Sequence, residues 1–327
     1  MSRQQRQSRS NIPRIEFMEE RKLPSGMAVG TRLVDHLVTA TLTHAQNTGH
    51  SSKTVAPAAV HPLAQKGSQT YRNLTYASDT GAAQKLDVYL PAGQAPVGGW
   101  PVVMAIHGGG WRRFSKEQYG PKAAVLTQFG YAVVAPSYTL SNPGVSSWSK
   151  NLQDVRGAVR WVRIHADRFS FNTNQIAAMG ESAGGHLALL LGLSKDPVQN
   201  PTASAAIQAV ASFAGPTDLR DLATVSPFAG MAAKQMMGSA PDQNPAAYSD
   251  ASPVDQAGPN APPILLVHGQ LDTLVPASQT TEMAVALNTK HDRFQLLFLP
   301  RVGHGIPLTV GSVQLNGLLA FLKGSLK

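Results

Sequence analysis

From about Gln69 onward, short apolar runs alternate with longer amphipathic stretches. No other feature restricts the fold as much. A run that is apolar at every position reads as a strand covered on both faces, and the amphipathic segments between such runs are what can cover it. The rhythm predicts strands at 70–77, 85–90, 101–106, 131–135, 176–179, 206–213, 264–267 and 294–299. Helices are predicted at 117–129, 149–168, 182–193, 277–288 and 312–322. In the second of these, Val155, Val159, Val162 and Ala166 fall three or four apart on one face. Such alternation implies an α/β protein with a mostly parallel central sheet of about eight strands and helices on both faces.

The pattern spans a domain at 69–327. Residues 216–262, rich in Pro, Ala and Met, interrupt it as an inserted cap-like segment. Residues 1–68 lack the rhythm and read as a leader or cap-like extension, disordered or weakly helical. The moderately apolar stretch 27–45 is broken by Arg32, Asp35 and His36, which a secretory signal does not tolerate, so a cytoplasmic chain is favoured over a secreted one. No window approaches the uninterrupted apolar length that a membrane span needs.

Of the 327 residues, 43% are apolar and 14% charged, the opposite of the signature of disorder, so a packed core is expected. The absence of cysteine excludes disulfides, thiolate metal sites and a cysteine nucleophile. The net charge of +9 is spread thinly: residues 1–60 hold 8 basic and 4 acidic side chains, and only Phe17 among aromatics. Nucleic-acid recognition needs a basic patch with interleaved aromatic residues, so no nucleic-acid partner is expected.

Gly180-Glu181-Ser182-Ala183-Gly184 lies between a predicted strand and a predicted helix and matches G-x-S-x-G. A nucleophile at a strand-to-helix elbow sits in a cramped, strained turn, so the flanking positions must lack bulk. Ser182 would be held out over the sheet at a helix N-terminus that favours negative charge. Taken alone, the pentapeptide also suits a simple turn with Ser182 as helix N-cap. About 70 residues earlier, His107-Gly108-Gly109-Gly110-Trp111 follows directly on the predicted strand 101–106. Consecutive glycines expose backbone N–H groups without obstruction, as an oxyanion hole requires. Gly109 and Gly110 are the candidates, completed by the N–H of Ala183 after the serine.

With these two motifs in this order, the chain resembles α/β-hydrolase fold esterases of the group that includes hormone-sensitive-lipase-like carboxylesterases, small carbohydrate esterases and kynurenine formamidases. Residues 107–111 and 180–185 carry the resemblance, with Asp87-Val88-Tyr89-Leu90-Pro91 as a further recurrent feature. It covers about residues 70–325 and implies the α/β-hydrolase fold and a serine hydrolase.

In that fold the chain order is serine, acid, histidine. His304, within Gly303-His304-Gly305 after the last predicted strand, is the best base by position, its flanking glycines letting the imidazole swing over the elbow. His186 lies one helical turn past the serine and points along the helix. His291 falls in a charged turn, expected to be exposed. His268 ends a strand where relatives often carry a structural histidine supporting the acid loop. Asp272 is the candidate acid, just past that strand and 32 residues before His304. The competitors Asp250, Asp255 and Glu282 fall away from the carboxyl edge of the sheet, where ligands bind.

The expected reaction is hydrolysis of a small-molecule, short-chain carboxylic ester, with activity falling as pH drops through the range where histidine protonates. No cofactor is implied, and no histidine pair has the helical spacing and nearby acid of a zinc site. Trp111, Tyr138 and Glu181 are candidate substrate contacts, with Phe228, Met231, Met236 and Met237 as an adaptable apolar wall. Ser137-Tyr138-Thr139-Leu140-Ser141 departs from the tyrosine motif of many lipase-like relatives, and Glu181 from their commoner aspartate, which leans toward carbohydrate esterases and formamidases. Two alternatives stay open: an amide-cleaving relative with the same triad, either a formamidase or a peptidase, and a binding module that kept the scaffold without catalysis. The residues carry no signal of oligomeric state.

Overall fold

The apolar runs are buried on both faces, as their composition demands. Every residue of 132–136, 209–213 and 264–269 is buried, and so are Val102 through Ile106. The computed structural model describes residues 67–77, 83–196 and 204–327. Its strands are β1 (Gln69–Ala77), β2 (Ala83–Leu90), β3 (Trp100–Ile106), β4 (Ala132–Pro136), β5 (Phe171–Glu181), β6 (Ala209–Phe213), β7 (Ile264–Gly269) and β8 (Phe294–Leu299). They form one sheet in the order β1-β2-β4-β3-β5-β6-β7-β8. β2 is antiparallel to β1 and β4, and all other pairings are parallel. This is the expected α/β-hydrolase architecture. The expected leader lies outside the described residues except for Gly67 and Ser68.

Side chains alternate between the two faces of each strand, and each face has its own core. Val102, Met104 and Ile106 of β3 pack with Val155, Val159 and Leu187, under helices α2 (Lys150–Ile164) and α3 (Ala183–Leu193). Val103 and Ala105 pack on the other face with Leu126 and with Leu315, Leu318 and Phe321. Leu126 comes from a helix at Gly120–Gln128, here α1, and the last three from a C-terminal helix at Val313–Ser325. Helix α3 is apolar all round because it is buried all round: Leu187, Leu189 and Leu190 are each fully inaccessible.

Several boundaries differ from expectation for local reasons. The helix expected at 117–129 starts as a 3₁₀ turn at Lys116–Tyr119, and α1 begins only where Pro121 occupies the first turn. The helix expected at 149–168 stops at Ile164, and a separate turn at Ala166–Phe169 follows. Strand β5 extends well before Ile176, pairing Phe171 with Trp100 of β3.

The segment 216–262 holds four short helices: α4 (Leu219–Val225), α5 (Pro227–Met237), α6 (Pro245–Asp250) and α7 (Pro253–Gln256). Side chains of Asp218, Ser226 and Asn244 cap the first three, and proline opens the last three. Prolines at first-turn positions lose no hydrogen bond there, which is why a proline-rich stretch can be helical. Helix α8 (Ala277–Thr289) follows β7, and the C-terminal helix Val313–Ser325 is α9. Among the described residues, no helix is long and apolar enough to cross a membrane.

Candidate active site

The carboxyl ends of β3, β5 and β7 converge on one cavity of about 210 Å³, which Ser182, His304, Gly109 and Gly110 all line. The serine sits at the junction of β5 and α3 with φ 54° and ψ −124°, outside the ordinary wells for an L-residue. Such a conformation costs about 1–3 kcal/mol and persists only where its surroundings enforce it. Here the Ser182 N–H donates to the Phe213 carbonyl at 2.8 Å, and the His186 N–H donates to the Ser182 carbonyl at 3.0 Å. The Ser182 side chain makes no capping bond, so the N-cap reading of the pentapeptide does not describe it.

The glycines around it are required by contact. A Cβ on Gly184 would lie 2.0 Å from the Ile106 carbonyl oxygen, and one on Gly180 2.2 Å from the Gly184 carbonyl oxygen. The elbow is therefore pressed against the end of β3, which carries the glycine loop. Gly109 and Gly110 have φ of +100° and +60°, and a Cβ on Gly109 would lie 2.2 Å from the Arg113 carbonyl oxygen. Three contacts not foreseen from sequence fix this loop. The Gly108 N–H donates to the Gln118 side-chain oxygen at 3.0 Å. The Tyr138 hydroxyl donates to the His107 carbonyl at 2.9 Å, and its ring stacks on His107 with centroids 4.1 Å apart. Ala183 is buried at the first position of α3, where a helix N–H has no intrahelical acceptor.

His304 Nδ1 lies 2.7 Å from Asp272 Oδ2, so the proton sits between them and Nε2 is left as the acceptor. Asp272 Oδ1 accepts the backbone N–H groups of Leu274 and Val275, each at 2.9 Å. His268 Nε2 is 3.2 Å from Asp272 Oδ2 and 2.8 Å from the Val275 carbonyl. With two acceptors there, Nε2 must carry the proton, and Nδ1 accepts from the Thr280 hydroxyl at 2.6 Å. Burial pushes the Asp272 carboxyl up, but the bonds from His268 and His304 outweigh it and hold it well below the usual carboxylate range. Neither flanking glycine of His304 has a positive φ, and a Cβ on Gly305 would meet nothing within 4 Å. The glycine that matters is Gly269, where a Cβ would lie 2.3 Å from the Val302 carbonyl oxygen. Its bareness lets the loop after β8 close onto the loop after β7, with the Leu271 N–H donating to Val302 at 2.9 Å.

The remaining candidates scatter. Trp111 lines the cavity, its indole N–H donating to buried His186 Nδ1 at 3.3 Å. Glu181 lines it too and pairs with Lys122. Tyr138 is a correction: it is 3% exposed and supports the glycine loop from behind without reaching the cavity. Of the four apolar side chains expected from 216–262, only Phe228 lines the cavity. Met236 and Met237 are drawn into the core, and Met231 faces solvent. His291 is exposed and His186 is fully buried against the Ala251 carbonyl at 2.7 Å, away from the serine. Sequence reasoning also passed over Arg112, Arg113 and Phe114, which line the cavity directly after the glycine loop.

Comparison with known proteins gives a consistent picture. The BD-FAE family model matches residues 86–287. Esterase LipC of Mycobacterium tuberculosis is 31% identical over 252 residues, covering 74% of this chain and 61% of LipC. A kynurenine formamidase of Danio rerio is 35% identical over 136 residues, 42% of this chain and 43% of that enzyme. The chain thus spans about three-fifths or less of these curated relatives. Among solved structures, a truncated carbohydrate esterase from gut microbiota superposes with a TM-score of 0.70 at 23% identity, covering 81% of this chain and 99% of that one. At that identity the likeness speaks for the fold.

Proposed function

The chain belongs to the BD-FAE family, and on that premise we propose that it is a serine hydrolase cleaving short-chain carboxylic esters. The observation that carries the reading is the pair His304–Asp272, 2.7 Å apart, at the cavity that also holds the strained Ser182. His304 Nε2 accepts the Ser182 proton as the hydroxyl oxygen attacks the ester carbonyl. Asp272 holds the imidazole in the tautomer that leaves Nε2 free and stabilises the imidazolium that forms. The N–H groups of Gly109, Gly110 and Ala183 receive the negative charge of the tetrahedral intermediate. His304 then gives its proton to the departing alcohol, and water repeats the sequence on the acyl-enzyme.

Ser182→Ala tests this directly. Hydrolysis of 4-nitrophenyl acetate is expected to fall at least about a thousandfold, and labelling by a fluorophosphonate probe to disappear. Near-wild-type turnover would end the assignment. The likeness to a kynurenine formamidase supports a second reading, aryl formamide cleavage by the same residues. Comparing kcat/KM for N-formyl anilides and phenyl esters separates the two.

A further inference from the structure

Resting on the esterase reading, we propose that Arg112 and Arg113 make the cavity selective for esters bearing a second, anionic group: a carboxylate on the acyl chain or on the alcohol. Both arginines line the cavity that holds Ser182 and His304. The Arg112 guanidinium lies 5.4 Å from the centroid of the Phe228 ring, and that of Arg113 5.8 Å from the Phe114 ring, two further cavity residues. Arg112 is half-buried. Its Nε is sealed from solvent without a hydrogen-bond partner, and Nη1 reaches the Gln235 side-chain oxygen only at 3.5 Å, the outer limit of a hydrogen bond.

Among the described residues, neither arginine has a carboxylate within ion-pair distance. The one acid lining the cavity, Glu181, is neutralised by Lys122. The cavity wall thus carries positive charge without a carboxylate partner, and for the half-buried Arg112 the setting is partly desolvated, where a guanidinium is costly unless paired. A carboxylate matches the guanidinium fork, and a neutral ester leaves those donors unanswered. The charge is also close to the reaction centre. A Cβ on Gly110, a glycine of the oxyanion loop, would lie 3.9 Å from Arg112 Nε. The second anionic group therefore belongs on the same small ester, a short chain or one ring away from the carbonyl, consistent with a cavity of about 210 Å³.

Two matched pairs of substrates test this and distinguish the two placements. 4-Nitrophenyl hemiadipate against 4-nitrophenyl hexanoate places the charge on the acyl side, and 4-acetoxybenzoate against phenyl acetate places it on the alcohol side. In at least one pair the charged ester is expected to have a KM about tenfold lower than its neutral partner, the scale of one charge-assisted bond. Added sodium chloride should shrink that ratio. The double variant Arg112→Gln/Arg113→Gln should abolish it, and the exposed single variant Arg113→Gln should weaken it. Arg168→Gln, the same loss of charge at the opposite edge of the sheet, should leave the ratio as it was. Equal or higher KM for the charged ester in both pairs overturns the proposal, as does a preference that survives salt and the Arg113→Gln change. Failure of the esterase reading looks different: neither neutral ester would be hydrolysed, and Ser182 would take no fluorophosphonate.

Discussion

Four contacts on one carboxylate define the candidate site at the residue scale. Asp272 accepts two backbone N–H groups on one oxygen and two imidazole N–H groups on the other, so its orientation is fixed from both sides. Asp272→Asn replaces an acceptor by an amide that can present N–H groups to His304 Nδ1, favouring the wrong tautomer. The expected outcome is a fall in kcat of about 10³–10⁴ with KM little changed, as for other triads, read from ester hydrolysis of the folded variant. An undiminished kcat would remove Asp272 from the reaction. Ser182 and Asp272 could be picked out as candidates because their neighbours are local in sequence: an elbow needs G-x-S-x-G, and an acid loop follows directly on its strand. Tyr138 was misread because nothing local reveals whether a side chain meets the front or the back of a loop 30 residues away.

At the scale of elements, helix α5 decides the width of the cavity. Phe228, Ala229 and Ala232 project from it into the lining, and the Ala232 methyl lies 3.5 Å from where a Cβ on Gly110 would stand. Ala232→Leu fills space next to the glycine loop. It is expected to lower kcat/KM for 4-nitrophenyl hexanoate about tenfold more than for the acetate, since one or two methylenes of lost space are worth about 1–3 kcal/mol. A uniform effect across chain lengths would show that α5 does not bound the acyl chain. The helices of 216–262 had a readable signature, a capping residue followed by proline at Ser226-Pro227 and Asn244-Pro245, though proline and alanine richness masks it. Which of their side chains wall the cavity was not readable, because short helices carry too little periodicity to reveal which face is buried: Phe228 lines it with Ala229 and Ala232, while the three methionines do not.

For the whole molecule, acid sensitivity follows from histidines locked in the core. Burial lowers His107 and His186 to about 4. His186 accepts the Trp111 N–H on one nitrogen and meets the Ala251 carbonyl with the other, so a second proton would set N–H against N–H. In the unfolded chain both would protonate near the ordinary value of about 6.5, so the unfolded state binds more protons between about 6.5 and 4, and stability falls as pH drops through that window. Each contributes on the order of 3 kcal/mol by pH 4. Glu282, raised to about 7 by burial and by Asp221 and Asp218, acts in the opposite direction, but it is one half-exposed group against two buried ones. Tm is therefore expected to decline steadily from pH 6.5 to 4 in thermal melts, and a flat profile would contradict the account. By itself the sequence determined the α/β class and the strand-by-strand rhythm and singled out the elbow and the glycine loop, because each rests on hydrophobic periodicity or on spacing within a single turn; Asp272 and His304 it offered as candidates by their place after a strand. Only the tertiary structure decided that Gly269 admits the histidine loop, that Tyr138 braces the glycine loop from behind, and that Arg112 and Arg113, with no carboxylate partner among the described residues, line the cavity that holds Ser182. Those facts depend on which distant segments the parallel sheet brings together at its carboxyl edge, and side-chain contacts across that edge leave no periodic trace along the chain.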